Sequence, residues 1–139
     1  MGSEKNKKYI IENEVEELPN LAEKIEKLGE SWDLSQAITM NVNLVMEEAL
    51  SNIIFYAFND KNKHEIEIYV SIKKNKLTIT FKDDGVPFNP LSQQKPDINL
   101  SAEERPVGGL GIFLMSQIMD EMHYNRQKNK NILTLTKDI

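Results

Sequence analysis

Apolar residues fall at every second position from Ile66 to Ile72 and again from Leu77 to Phe81, with Lys74-Asn75-Lys76 at the join. Two alternating runs around a short polar turn predict a β-hairpin with one buried face. The second strand ends on Asp83-Asp84-Gly85-Val86-Pro87-Phe88. A long polar stretch follows, and then Gly108-Gly109-Leu110-Gly111-Ile112-Phe113-Leu114-Met115, where three glycines open an apolar helical run.

That order of elements carries chemistry. A carboxylate and a glycine sit at a strand end, and a glycine-rich turn sits at a helix start. The N-terminus of a helix has free N–H groups and the positive end of the helix dipole, so it attracts phosphate. Glycines let a ligand approach the backbone with no Cβ in the way. The expected site is therefore a nucleotide site, with Asp83 at the base and the Gly108–Gly111 turn at the phosphates.

The rest of the chain supplies the cover for the hairpin. Tyr9-Ile10-Ile11 is read as a first strand. A first helix starts near Pro19, carries Leu21, Ile25 and Leu28 at helical spacing and is expected to end at Gly29. Asp33 or Ser35 can cap a second helix, whose stripe of Ile38, Val42, Val45, Ala49, Ile53 and Ala57 runs to about Phe58. A third helix is expected from Leu110 to about Met119. A second hairpin joins Met122–Gln127 to Ile132–Thr136 around Lys128-Asn129-Lys130-Asn131. Residues 89 to 107 are polar, contain Pro90, Pro96 and Pro106, and lack a long periodic pattern. A loop this long in a compact domain is usually functional or mobile.

With 139 residues and no internal repeat, the chain is read as a single domain over 1–139. The absence of cysteine excludes disulfides and thiolate metal sites. His64 and His123 are too isolated to suggest a metal cluster. A formal net charge of −5 argues against a nucleic-acid surface, which needs a basic face. No run is apolar for long enough to cross a membrane. Met1-Gly2-Ser3 leads into charged residues rather than a secretion signal, so a cytoplasmic protein is expected.

The second helix also carries Glu47-Glu48-Ala49-Leu50-Ser51-Asn52. Glu48 and Asn52 are four residues apart and share a face at the edge of the apolar stripe. A carboxylate there can act as a general base, and an amide oxygen can ligate Mg²⁺, a hard cation that takes oxygen ligands. Alone, the pair reads more simply as a solvated Glu and a surface Asn. Asp83-x-Gly85 alone reads as a strand-to-turn connection, and Gly108-Gly109-x-Gly111 as glycine-assisted helix packing. The three together, in this order and on these elements, are far more specific.

The combination resembles the GHKL, or Bergerat-fold, ATPase superfamily. Glu48-x-x-x-Asn52 is similar to its N box, Asp83-x-Gly85 to its G1 box and Gly109-x-Gly111 to its G2 box, with residues 89–107 in the place of the ATP lid. Three segments resemble, more closely, the anti-sigma factor serine/threonine kinase branch. They are Asp84-Gly85-Val86-Pro87-Phe88-Asn89-Pro90, the run from Glu103 to Leu114, and the run from Asn131 to Lys137. The resemblance covers about Ala37 to Ile139 and is weaker before that. Pro87 stands where the broad superfamily has a second glycine in G1.

The resemblance implies an α/β (α+β) two-layer sandwich, a mixed, mainly antiparallel sheet covered on one face by helices. It implies ATP and Mg²⁺ as ligands. Asp83 would accept a hydrogen bond from the adenine amino group, and Gly85 would let the base lie close. Asn52 would hold Mg²⁺. Gly108, Gly109, Leu110 and Gly111 would present N–H groups to the phosphates, with Thr134 also among the nucleotide contacts. Glu48 would take the proton from a serine hydroxyl on a partner protein. Arg105, the lid's arginine, would either reach the γ-phosphate or pair with Glu103 or Glu104.

The activity implied is that of an anti-sigma regulatory factor and protein-serine kinase. Its partners would be a sigma factor and a small serine-containing antagonist protein. The alternative is a non-catalytic ATP-dependent binding module. A detached histidine-kinase domain fits poorly, since neither His64 nor His123 sits where a phospho-accepting histidine belongs. Relatives of this branch are commonly dimers, and the N-terminal strand and first helix are where a homodimer surface could lie.

Overall fold

The computed structural model describes residues 4–92 and 109–139. In chain order it runs β1 (Lys5–Glu12), α1 (Leu18–Ser31), α2 (Gln36–Tyr56), β2 (Glu65–Lys73), β3 (Lys76–Asp83), α3 (Gly109–Ile118), β4 (Glu121–Gln127) and β5 (Lys130–Asp138). The strands form one sheet in the order β1-β2-β3-β5-β4. All four pairings are antiparallel, so the sheet has no parallel pair among the described residues. The chain leaves β3 at Asp83, passes through α3 to the far edge strand β4, and returns along β5 beside β3. That return sets Asn131 directly opposite Asp83.

Alternation decides which side chains meet the helices. Tyr9 and Ile11, Ile66, Ile68 and Val70, Leu77, Ile79 and Phe81, and Leu133 and Leu135 are buried. They join Leu21, Ile25 and Leu28 of α1 and Val42, Val45, Ala49 and Ile53 of α2 in one core. Fully burying a side chain of this kind contributes about 1.5–3 kcal/mol. Both hairpins close through two-residue turns with positive φ, Lys74 and Asn75 at 52° and 61° and Lys128 and Asn129 at 53° and 62°. Such turns match the twist of the strands they join. The second turn is therefore only Lys128-Asn129, and Asn131, expected within it, lies inside β5 and is buried.

The helix ends differ from expectation in an instructive way. Gly29 does not end α1, which continues to Ser31. A Cβ at Gly29 would collide with the Thr39 side chain of α2, so this glycine serves close helix packing. Asp33, in the left-handed region at φ 55°, terminates α1 instead. Asp33 N–H donates to Glu30 O at 3.2 Å and Leu34 N–H to Gly29 O at 2.8 Å, the pair of bonds that closes a helix C-terminus on a left-handed residue. Ser35 then starts α2, its Oγ accepting from Ile38 N–H at 3.1 Å. Among the described residues no helix is long and apolar enough to cross a membrane.

Candidate functional site

Asp83 ends β3 with its side chain on the covered face, 3% exposed. Its Oδ1 accepts from Gly85 N–H and from Asn131 Nδ2, both at 2.9 Å. Asn131 also donates to Val86 O at 2.8 Å. Its Oδ1 accepts from Phe88 N–H and Arg126 Nη1, both at 3.2 Å, and from the Tyr124 hydroxyl. Arg126 Nη1 donates further to Gly85 O at 2.7 Å. The turn after β3 is thus cross-braced by one asparagine and one arginine from the neighbouring hairpin. Burial pushes the Asp83 carboxyl above the usual carboxylate range, against the pull of the Asn131 and Gly85 hydrogen bonds. Among the described residues Oδ2 has no hydrogen-bond partner, which leaves it free to accept from an amino group.

The same turn is fastened to α2. Val86 N–H donates to Ala57 O at 2.7 Å, and Ala57 caps the C-terminus of that helix. A Cβ at Gly85 would run into the Ala57 backbone. The direction a side chain would take at Gly85 is therefore filled by the helix end. About 13 Å back along α2, at 1.5 Å per residue, stands Glu48.

Glu48 is half-buried, and its Oε2 lies where a Cβ on Gly111 would be. The carboxylate therefore rests against the first turn of α3. Desolvation, reinforced by the neighbouring Glu47 charge, raises its pKa above the ordinary glutamate value. A carboxylate tuned upward is a better proton acceptor at the pH where it still ionises. Asn52, one turn further along α2, is 6% exposed, and its Nδ2 has no partner among the described residues.

An unpaired buried amide costs free energy unless something satisfies it, and an amide's O and N exchange by a flip. Its oxygen suits Mg²⁺. No group of three or more His, Cys, Asp or Glu suited to a metal exists among the described residues. Mg²⁺ takes few protein ligands and fills most of its shell with water and ligand phosphates, so an amide oxygen is chemically able to serve as a protein contact.

The remaining expected site residues divide. Gly109 and Leu110 open α3, and Gly111 stands in its first turn against Glu48. The first N–H groups of such a helix lack intrahelical partners and favour an anion. Arg105, Gly108 and the lid from residue 93 onward lie outside the described residues. Of the described lid residues 89–92, Pro90–Ser92 form a short 3-10 turn. Thr134 is not brought to the site. It pairs with Thr80 on the open face of the sheet, opposite to the face that carries Asp83 and Asn131. An odd separation from Asn131 along a strand reverses the side.

Sequence reasoning missed Asn131, Arg126, Tyr124 and the Ala57 carbonyl. One signal was available for Asn131. Counted back from Leu135 and Leu133, position 131 is inward-facing, and a polar residue there requires partners.

A model of the histidine kinase-like ATPase domain matches residues 11–137. The chain is 28% identical over 109 residues to the serine/threonine-protein kinase BtrW of Bordetella bronchiseptica, covering 78% of this chain and 75% of that protein. It is 28% identical over 87 residues to the serine-protein kinase RsbW of Bacillus velezensis, covering 59% of this chain and 54% of that one. To the RsbW of Bacillus cereus it is 31% identical over 103 residues, covering 71% and 63%. The match thus spans three quarters of the first relative and between half and two thirds of the others.

Proposed function

Because the chain belongs to the histidine kinase-like ATPase family, we propose that it is an ATP-dependent protein-serine kinase that works as an anti-sigma regulatory factor. On this reading it acts in the cytoplasm, phosphorylates a small antagonist protein and holds a sigma factor when that antagonist is absent or phosphorylated. The names of its relatives, serine-protein kinases in several bacteria, support the transferase activity.

One observation carries the mechanism: the desolvated Glu48 carboxylate lies against Gly111 at the start of α3. Adenine would meet the free Oδ2 of Asp83, which accepts from an exocyclic amino group. Guanine would set a carbonyl oxygen against that carboxylate, with no proton between them. The α3 N-terminus, with Gly109 and Gly111, would receive the phosphates. Bound Mg²⁺ would neutralise phosphate charge, with Asn52 as its protein ligand. Glu48 would accept the proton of the incoming serine hydroxyl as its oxygen bonds to phosphorus, and the nucleoside diphosphate would leave with the electron pair of the broken bond.

The test is label transfer from γ-labelled Mg-ATP to a serine of an antagonist protein from the same cell. Glu48→Gln should cut transfer by roughly 10²–10⁴-fold, the usual share of a general base, and leave ADP affinity unchanged. Transfer at the wild-type rate in Glu48→Gln removes the base from the proposal. Tight ATP binding with no transfer to any serine favours the non-catalytic binding module instead.

A further inference from the structure

The segment between α2 and β2 holds a histidine cluster that none of the nucleotide chemistry uses. His64 Nδ1 lies 2.9 Å from Asp84 Oδ1, and its Nε2 lies 2.8 Å from Asp60 Oδ1. Its ring stacks on Phe58, centroids 4.5 Å apart and planes 19° off parallel. Its backbone is held as well, His64 N–H donating to Asn13 Oδ1 and Asn13 N–H to His64 O, both at 2.9 Å. The side chain is only 16% exposed.

A carboxylate only accepts hydrogen bonds, and a neutral imidazole donates from one nitrogen alone. With a carboxylate oxygen on each ring nitrogen, both bonds form only when the ring carries two protons. Asp84 follows Asp83 in the turn that Val86 fastens to Ala57, and Phe58 follows Ala57. The ring therefore joins the segment leaving α2 to the turn that ends β3.

We propose that His64, doubly protonated between Asp60 and Asp84, is a positioning residue that sets the Asp83–Gly85 turn against the end of α2 and makes nucleotide affinity depend on pH. This rests on the nucleotide reading of Asp83.

Among the described residues, the cations around this cluster have partners of their own. Lys63 is drawn to Glu12 of β1 at 3.6 Å, and Lys130 to Glu67 at 3.7 Å. Lys82 lies over the Tyr69 ring at 5.1 Å. Arg126 is committed to Gly85 O and Asn131, and Asp83 Oδ1 to Gly85 N–H and Asn131. Glu65 shares the hollow beside the ring with Glu67 and with Lys63, Lys82 and Lys130. The Asp60 hydrogen bond foremost, with Asp84 in support, raises the His64 pKa above the ordinary histidine value, and the same bond lowers Asp60. With a raised folded-state pKa, the clamp is complete below the ordinary histidine value and is lost as pH rises through the folded one.

ADP is the probe, titrated into the full chain from pH 6 to 8.5 by calorimetry. Wild-type affinity should fall by about threefold more than that of His64→Gln over this range. ADP's own phosphate titration is common to both proteins and cancels in the difference. Nuclear magnetic resonance of the ring should show the His64 midpoint falling in Asp84→Asn. Parallel ADP slopes in wild type and His64→Gln overturn the proposal, as does a ring midpoint indifferent to Asp84. Should ADP bind neither protein at any pH, the nucleotide reading fails. The clamp is then decided by melting of the unliganded protein: a midpoint that drops more steeply with pH in wild type than in His64→Gln supports it, and parallel curves overturn it.

Discussion

Asp83 and Asn52 are both buried polar side chains of the candidate site, and they are held in opposite ways. Asp83 is gripped by Gly85 and Asn131, and Asn131 is gripped in turn by four further groups. Asn52 has an amide nitrogen with no partner among the described residues. On the proposed function, the difference separates recognition from reaction. A base-binding turn gains from being rigid before the ligand arrives, since ordering it on binding would subtract from affinity. A metal-binding amide must keep its polar atoms uncommitted, because each bond made inside the protein would have to break on loading.

Two substitutions should split the ends most widely. Asn131→Ala leaves Asp83, Tyr124, Arg126 and two backbone groups without their shared partner. It should cost about 3 kcal/mol, the upper end for a buried unsatisfied group, and lower the melting midpoint by roughly 10 °C. Asn52→Ala removes a group with an unpaired donor, so the unliganded midpoint should stay within about 2 °C of wild type. Mg²⁺-dependent ATP binding should nevertheless be lost. Calorimetric melting with and without Mg-ATP reads both. Equal losses of unliganded stability in the two variants would abolish the distinction.

The glycines sharpen the same contrast at a smaller scale. At Gly85 a methyl group meets the Ala57 backbone, which cannot yield without shifting the end of α2. Gly85→Ala should therefore destabilise the protein by about 2 kcal/mol, as overpacking does. At Gly111 the atoms nearest that methyl group belong to the flexible Glu48 side chain, its carboxylate end closest. Gly111→Ala should hold or slightly raise stability, since alanine suits a helix better by about 0.5–1 kcal/mol. It should slow phosphotransfer by displacing the Glu48 carboxylate. Melting and single-turnover transfer separate the two variants, and a Gly111→Ala enzyme with wild-type transfer would detach Glu48 from the chemistry.

The hairpins, the core faces of α1 and α2 and the Ser35 cap were legible because each rests on a local period or a local hydrogen bond. So was the sharing of one helix face by Glu48 and Asn52. What the sequence hid depends on parity and on distant partners. Asn131 and Thr134 stand three apart in one strand, so only one can face the helices. Leu133 and Leu135 settle which, but a lysine- and asparagine-rich turn obscured how far the strand extends. Gly29 and Gly85 look like turn glycines until Thr39 and Ala57 arrive from elsewhere in the chain to fill their missing Cβ positions. No local pattern encodes such a neighbour.

The smallest expected effect tests the reaction end alone. Glu47 is exposed and Glu48 half-buried, so adjacent carboxylates on one helix have unequal surroundings. The Glu47 charge adds to desolvation in raising the Glu48 pKa. A general base must be deprotonated, so turnover should rise with pH through the Glu48 pKa, and that acid limb should lie above the usual glutamate range. Glu47→Gln removes the like charge and keeps the helix, so the limb should move to lower pH. Desolvation remains, so the limb should not return to the value of a fully solvated glutamate. The plateau rate above the limb should be unchanged, because the Glu47 side chain is exposed. Rates of label transfer across the acidic range, compared between wild type and Glu47→Gln, measure the displacement with the nucleotide's own titration common to both. A limb that stays in place would mean that another group sets it. Loss of turnover in Glu47→Gln with full activity in Glu48→Gln would reverse the two roles.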